Sequence, residues 1–227
     1  MRLRRVALLL FFPLPTAVAQ AQLCVGNSAF TLAHFHSAAG ADLDRLAQRY
    51  TLELRYRTRH AFGAAEYGLK TWELTSLNGT SKAVGLTLGL DGTAARSRVG
   101  FCPMLRWTYN SGPHEIGGTP WNFSEYAWSA GFSVGFLMAR AKLWDLMPTM
   151  GLTVGTADQK LTTLAGGNLQ QYQDWCCGRQ SFTTFRIGLG LGYSDEVTLI
   201  PSVSLPVGDG AQKTWSIRAT FRLGKGI

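Results

Sequence analysis

Apolar and polar side chains alternate one by one along most of this chain, which is the period of a β-strand with two different faces. The clearest segment is Thr214–Leu223. Its apolar parity carries Trp215, Ile217, Ala219, Phe221 and Leu223, and its polar parity carries Ser216, Arg218, Thr220 and Arg222. A helix would repeat its apolar residues every three or four positions, so this pattern predicts a strand long enough to cross a membrane.

The same alternation predicts an all-β fold of about ten antiparallel strands. The strands are predicted near 29–36, 49–58, 61–74, 82–91, 97–109, 123–138, 142–157, 181–193, 197–205 and 214–223. Short turns are predicted near 59–60, 92–96, 139–141 and 194–196, and longer loops near 37–48, 75–81, 110–122, 158–180 and 206–213. Short turns at one end and long loops at the other are typical of a transmembrane β-barrel. An eight-stranded barrel stays open because the first strand is short.

One predicted strand, 61–74, breaks the alternation. Its acidic and basic residues Glu66 and Lys70 share a parity with Phe62 and Trp72. This mixture of apolar and charged residues on one face predicts a bulge within the strand.

The N-terminal residues have the parts of a cleavable export signal. A start with three arginines precedes the apolar run Val6–Phe12, which is too short to span a bilayer as a helix. Small residues follow, and cleavage after Ala19 or after Ala21 fits equally. We therefore expect a signal peptide over 1–21 and a single barrel domain over 22–227.

The composition supports a membrane β-barrel. Charged residues make up 16% of the chain, below the usual level of about 25%, yet no later stretch reaches the ~20 apolar residues of a membrane helix. Low charge without long apolar runs is what alternating strands produce. The net charge is +8, but no basic run with interleaved aromatic residues occurs, so nucleic-acid binding is not expected.

Aromatic residues collect at the predicted strand ends, as in the interfacial girdles of membrane barrels. The expected outer girdle is Tyr50, Trp107, Tyr109, Trp121, Phe123 and Trp215, and the inner girdle is Tyr56, Phe101, Phe136, Trp144, Tyr193 and Phe221. A soluble β-sandwich or lipocalin-like barrel stays open, because its core could hold the large apolar face. The long strands, the girdles and the uneven loops favour the membrane.

This pattern resembles the small outer-membrane β-barrels of Gram-negative bacteria, broadly of the OmpA and OmpX type. The resemblance covers the whole mature chain and implies a location in the bacterial outer membrane, in contact with its lipid. The chain departs from these proteins in its strand number. It also departs at its end, where Phe221 is followed by several further residues rather than closing the sequence with an aromatic residue.

Charged side chains fall on the small, polar parity, which is expected to face the lumen. They are Glu53, Arg55, Arg57, Arg106, Glu125, Asp145, Arg186, Arg218 and Arg222. Barrels of this size enclose little space, so we expect these charges to pair and fill the interior. The alternative is a narrow channel that prefers anions weakly, because arginine residues exceed the acids.

The four cysteines, Cys24, Cys102, Cys176 and Cys177, are free to form disulfides in an exported protein. Three connectivities are possible. A Cys24–Cys102 bond would pin the N-terminal segment into the barrel mouth, because Cys102 faces inward near the inner end of its strand. Cys176 and Cys177 would then pair within the longest loop, or bridge to another loop or chain. That loop contains no histidine, so no metal site is expected.

His34, His36 and Ser37 lie at the predicted outer end of the first strand. With the following Ala38-Ala39-Gly40 they resemble the histidine-containing segment of outer-membrane lipid A deacylases, which implies a lipid-modifying enzyme. The Asn of that family is missing, and no Glu is tied to the site by spacing. No catalytic residue is therefore assigned.

The sequence thus predicts a non-enzymatic outer-membrane protein of structural or surface-interaction type, whose barrel anchors external loops and needs no cofactor. The loops 110–122 and 158–180 are the expected contact surfaces for a ligand or protein, because they are long and rich in aromatic and polar residues. A narrow porin-like channel for small solutes is the alternative, and a lipid-modifying enzyme is the third hypothesis.

Overall fold

A computed structural model describes residues 23–27, 35–43, 47–58, 60–73, 77–92, 97–116, 119–163, 178–207 and 213–223. After a short 3₁₀ turn at Leu23–Val25, the strands are β1 Phe35–Leu43, β2 Ala47–Arg57, β3 Ala61–Glu73, β4 Leu77–Leu90, β5 Val99–Ile116, β6 Thr119–Phe136, β7 Ala139–Ala141, β8 Trp144–Thr163, β9 Gly178–Tyr193, β10 Val197–Pro206 and β11 Thr214–Arg222. The expected signal peptide, 1–21, lies outside the described residues. No described helix is long and apolar enough to cross a membrane.

The strands form one closed antiparallel sheet. Apart from β6 and β7, strands that follow each other in sequence pair with each other, β1 pairs with β11, and β6 pairs with β8. The three residues of β7 continue the pairing with β8 where β6 ends, so β6 and β7 act as one strand. The predicted barrel of 10 strands is therefore confirmed. Around the apolar band of the described strands, closure leaves no unpaired sheet edge, which a structure inside lipid requires.

The two ends of the barrel differ in how far the strands extend. At one end, here called the short-turn end, brief connections lie near 58–60, 91–98, 137–143 and 194–196. At the other, the tall end, the strands β5, β6, β8 and β9 rise above the rest. Those four strands have 18, 18, 20 and 16 residues, whereas β1, β2, β10 and β11 have 9, 11, 10 and 9.

The loops predicted for the tall end are partly wrong, because many of their residues belong to strands. The strands β5 and β6 pair continuously up to Ile116↔Thr119, so most of the predicted loop 110–122 is strand. The structure also assigns to strands the segments 37–43, 47–48, 77–81, 158–163, 178–180 and residue 206. The remainder of the predicted loop 158–180, including Cys176 and Cys177, lies outside the described residues, as does 29–34 of the first predicted strand. Polar composition was misleading, because a hairpin that leaves the membrane keeps its backbone pairing while its side chains become polar.

Side chains are distributed inside out relative to a soluble barrel. Large apolar residues project outward and are exposed, such as Leu52 at 67% and Leu88 at 66%. The opposite parity carries buried charges, including Glu53 and Glu66. A soluble sandwich or lipocalin-like barrel would bury the large face and expose the charges, so those alternatives are excluded.

Aromatic pairs mark two levels on the outer surface. Nearer the short-turn end, ring centroids are 4.8 Å apart in Phe35–Tyr56, 5.6 Å in Phe101–Phe132 and 4.9 Å in Trp144–Tyr193. Nearer the tall end they are 6.3 Å apart in Trp107–Trp128 and 4.5 Å in Tyr109–Tyr126. The prediction was wrong for Trp121 and Phe123, which share the parity of Glu125 and are buried.

The strand β3 is regular rather than bulged. It pairs with β2 without a break from Ala47↔Trp72 to Arg57↔Phe62. Phe62 faces inward because Gly89 leaves room for it, and a Cβ atom on Gly89 would overlap the Phe62 ring. The expected bulge is therefore wrong, and Glu66 also faces inward.

Candidate functional site

Residues 23–27, here called the plug, lie inside the short-turn end of the barrel. A disulfide joins Cys24 to Cys102 of β5, which is one of the pairings that the sequence left open. Val25 packs against the apolar cluster that contains this disulfide and Phe62. The covalent bond and the apolar contacts together fix the plug to the barrel wall.

Missing side chains in the barrel wall make room for the plug. A Cβ atom on Gly190 of β9 would overlap the carbonyl oxygen of Gly26. Gly26 itself has a φ of +68°, a conformation that favours glycine. The Ser133 hydroxyl donates a hydrogen bond to the carbonyl oxygen of Cys24. The plug backbone is thus held at van der Waals distance from the wall.

Charged side chains cross the interior next to the plug and form what we call the central belt. Its members are Arg49, Glu53, Arg55, Glu66, Arg106, Arg186 and Arg218. Glu66 accepts hydrogen bonds from Arg49 and, at 2.6 Å, from Arg106. Because β2, β3 and β5 supply these residues, Glu66 ties three strands together across the lumen.

A second carboxylate in the central belt binds two further arginine residues. Glu53 forms ion pairs with Arg55 and with Arg218, whose Nη1 lies 3.2 Å from Glu53 Oε2. Arg186 differs from its neighbours, because it donates its hydrogen bonds to a hydroxyl group rather than to a carboxylate. Its Nη2 and Nε donate to Ser202 Oγ at 2.6 and 3.1 Å.

The central belt surrounds a cavity of about 140 Å³. Val25 of the plug lines the cavity together with Glu53, Glu66 and Arg186. Arg55, Arg106 and Arg218 complete its charged lining. The cavity therefore carries more positive than negative side chains.

A third group of inward side chains, here called the outer layer, lies towards the tall end. Its members are Lys70, Asn110, Trp121, Phe123, Glu125 and Gln159. Glu125 accepts hydrogen bonds from Asn110 Nδ2 at 2.7 Å and Gln159 Nε2 at 2.8 Å, and it lies 3.6 Å from Lys70 Nζ. Trp121 and Phe123 are buried, with 2% and 4% of their surface exposed. Plug, central belt and outer layer thus occupy the interior at three levels.

The remaining charged residues predicted for the lumen lie at the rim of the short-turn end. Their ion pairs are Arg57–Asp91 at 2.5 Å, Arg140–Asp145 at 2.7 Å and Arg222–Glu196 at 3.8 Å. In the neighbouring turn, partial burial raises the pKa of the Asp195 carboxyl, while Arg140 acts in the opposite direction. These pairs link strand ends and turns around the short-turn end.

Two central residues were missed from the sequence, Arg49 and Glu66. Arg49 is the first residue of the predicted strand 49–58, and Glu66 lies in the strand that was expected to be bulged. One signal could have found Glu66. The tight turn after β2 fixes the hairpin register and places Glu53 opposite Glu66, so both must face the same way.

Among the described residues, Cys24, Asp91 and Cys102 bring potential metal ligands together. The thiolate is the form of cysteine that binds metals, and both sulfur atoms are committed to the disulfide. Asp91 pairs with Arg57 instead. With the disulfide intact, this cluster cannot act as a metal site.

The histidine predicted for the outer end of the first strand lies at the opposite end. His36 pairs with Arg55 near the start of β1, at the short-turn end, and it is fully buried. Ser37 has the opposite parity along the strand, so the two side chains point to different faces. His34 lies outside the described residues. The resemblance to a deacylase therefore has no matching geometry at His36 and Ser37.

No family model matches the chain. No curated protein matches it either. Among solved structures, the chain is similar to the translocator domain of the autotransporter NalP from Neisseria meningitidis, with a TM-score of 0.46, 10% identity, and coverage of 84% of this chain and 88% of that one. It is also similar to the β domain of the Bordetella autotransporter BrkA (TM-score 0.45, 13% identity, coverage 83% and 98%) and to the NanC porin (0.39, 12%, 83% and 100%). Because these TM-scores are below 0.5, the class of the protein is inferred from its own fold and surface instead.

That class follows from three features. The sheet is closed, its outward face is apolar between two aromatic levels, and its connections are short at one end. This combination defines a transmembrane β-barrel, the architecture of bacterial outer-membrane proteins. The chain is an outer-membrane β-barrel protein whose short-turn end corresponds to the periplasmic side.

Proposed function

We propose that this protein is a non-enzymatic, non-conducting outer-membrane barrel that displays its tall end as a surface for interaction outside the cell. The observation that carries the proposal is the filling of the interior at three levels. The plug blocks the short-turn end, the central belt crosses the middle and the outer layer fills the space above. No cofactor or catalytic group is part of the proposal.

Ion pairing across the central belt supports a closed state. Opening a path between Glu66 and Arg106, or between Glu53 and Arg218, would separate charges that are shielded from bulk water. Breaking a buried pair leaves an uncompensated charge and is strongly unfavourable, by about 3–5 kcal/mol. A conducting pore instead needs sites that bind ions weakly enough to release them.

The tall end supports the interaction role. Beyond the outward residues Leu69, Val84 and Tyr126, the outward side chains become polar. They are Thr71, Thr80, Lys82, Ser111, Asn122, Ser124, Asp158, Lys160, Arg179 and Ser181. The segment Asn110–Ile116 alone adds roughly 20 Å along the strand. Paired backbone makes this projection a rigid wall rather than a mobile loop.

A liposome-swelling assay with small sugars and amino acids tests whether the barrel is closed. The refolded protein, checked by its heat-dependent gel mobility, is compared with a general porin reconstituted in parallel. We expect swelling at the level of protein-free liposomes. Swelling that rises with the amount of folded barrel would contradict the proposal.

Shortening one hairpin tests the interaction role. Residues 115–120 are replaced by a tight turn that joins the paired residues His114 and Trp121, which keeps Trp121 and Phe123 of the outer layer in place. The variant should fold and insert normally, because the removed part lies beyond the apolar band. If the shortened barrel binds to surfaces as well as the wild type does, the role proposed for this wall is contradicted.

The second candidate is a narrow channel that prefers anions. The observation that favours it is the excess of arginine around the cavity. Permeation by small anionic solutes, with exclusion of cations of similar size, would establish this alternative in place of the closed barrel.

A further inference from the structure

Positive charge in the cavity exceeds the negative charge available to balance it. Within the described part of the chain, four arginines line it, Arg55, Arg106, Arg186 and Arg218, against two carboxylates, Glu53 and Glu66. Outside the lining, Arg49 and Asp42 add one charge of each sign, so the excess of two positive charges is unchanged. Arginine stays charged in proteins, so the excess cannot be removed by losing a proton.

Arg186 carries the clearest share of this excess. Among the residues that the structure describes, no carboxylate forms an ion pair with it, whereas Arg55, Arg106 and Arg218 each have one. Ser202 accepts from its Nε and Nη2 and so fixes the orientation of the guanidinium group. A guanidinium has five N–H donors, so further donors remain for a ligand.

We propose that the cavity binds one small, doubly charged oxyanion of the phosphate or sulfate type, with Arg186 as its main ligand. Two positive side chains in excess match two negative charges. Arginine is suited to this task because its planar fork donates paired hydrogen bonds to an oxyanion. The anion would balance the charge of the interior, which goes beyond the proposed role of the barrel surface.

The position of the cavity selects a free anion over a lipid headgroup. The strands enclose it laterally, and Val25 of the plug lines one side. The outer layer, with Trp121 and Phe123 buried in it, lies between the cavity and the tall end. We therefore expect the anion to be captured while the barrel folds, before the plug closes the short-turn end.

The experiment measures phosphate retained after folding. The full barrel is refolded in detergent with inorganic phosphate, separated from free phosphate, and assayed for phosphate bound per folded chain. The wild type should retain about one phosphate, and Arg186→Gln should retain roughly tenfold less, because it loses charged hydrogen bonds. Arg179→Gln, on the same strand but exposed at the tall end, removes the same charge and should retain as much as the wild type.

Folding of each variant is verified by heat-dependent mobility. Arg186→Gln leaves no carboxylate without its partner, so the barrel should still form. A second variant, Thr153→Asp, keeps every arginine but adds a negative group to the cavity lining, and it should also lose phosphate. Absence of retained phosphate in the wild type, or equal retention in the wild type and both cavity variants, would overturn the proposal.

Discussion

The backbone of Gly26 occupies the space where a side chain on Gly190 would begin, since a Cβ atom there would overlap the Gly26 carbonyl oxygen. Gly190→Ala should therefore displace the plug and destabilise the barrel by about 1–3 kcal/mol. Urea unfolding of the refolded protein measures this change. Gly63→Ala is the matched control, because its Cβ would meet Leu88 Cδ2 at an ordinary 3.5 Å. Equal effects of the two variants would show that the plug does not contact Gly190.

The disulfide between Cys24 and Cys102 should contribute measurably to stability. It links residues separated by 78 positions, and closing a loop of this size restricts the unfolded chain. The double variant Cys24→Ser, Cys102→Ser should lose about 2–4 kcal/mol. The temperature at which gel mobility changes reports the effect. A wild type whose transition is the same with and without reductant would contradict the tether.

Glu66 should be more important than an acidic residue at the rim. Glu66→Gln removes the buried carboxylate shared by Arg49 and Arg106, which leaves two inward-facing guanidinium groups short of a partner. The expected loss is about 3–5 kcal/mol in denaturant unfolding. Glu196→Gln serves as the control, because Glu196 is largely exposed and 3.8 Å from Arg222. If both variants unfold like the wild type, the central belt does not stabilise the barrel.

The alternation of residues established the barrel, because outward and inward faces differ so strongly in strands such as β11 that one parity identifies the wall. It could not locate the end of the membrane. Pro113 and Asn122 fall in the predicted loop 110–122, yet they are paired in the ladder between β5 and β6. Pairing between strands, rather than composition, decides where such a hairpin ends.

The interior was harder to predict than the wall. Inward parity located Glu53 and Arg186, but which charges meet depends on strand register across the lumen. Phe62, Trp121 and Phe123 also have inward parity, although Trp121 and Phe123 were expected in the outer aromatic girdle. Phe62 fits inside the barrel because the neighbouring inward position, Gly89, has no side chain. A single strand does not reveal such neighbours on other strands.

The outward apolar band predicts an asymmetric response to added charge. Leu52→Arg places a cation on the exposed face in the middle of β2 and should cost about 2–4 kcal/mol in a lipid bilayer. Ser181→Arg, on the outward face of β9 at the tall end, should change stability by less than about 0.5 kcal/mol. Folding titrations in lipid vesicles compare them. Similar losses would place the tall end inside the membrane.

Single-channel recording tests the central claim, that the interior is filled, most directly. The refolded wild type is inserted into planar bilayers after its heat-dependent mobility has confirmed a barrel. The three interior layers predict a silent membrane, without discrete conductance steps at either polarity. Reproducible unitary steps would contradict a filled interior, and a change in their ion selectivity in Arg186→Gln would identify the central belt as the conducting path.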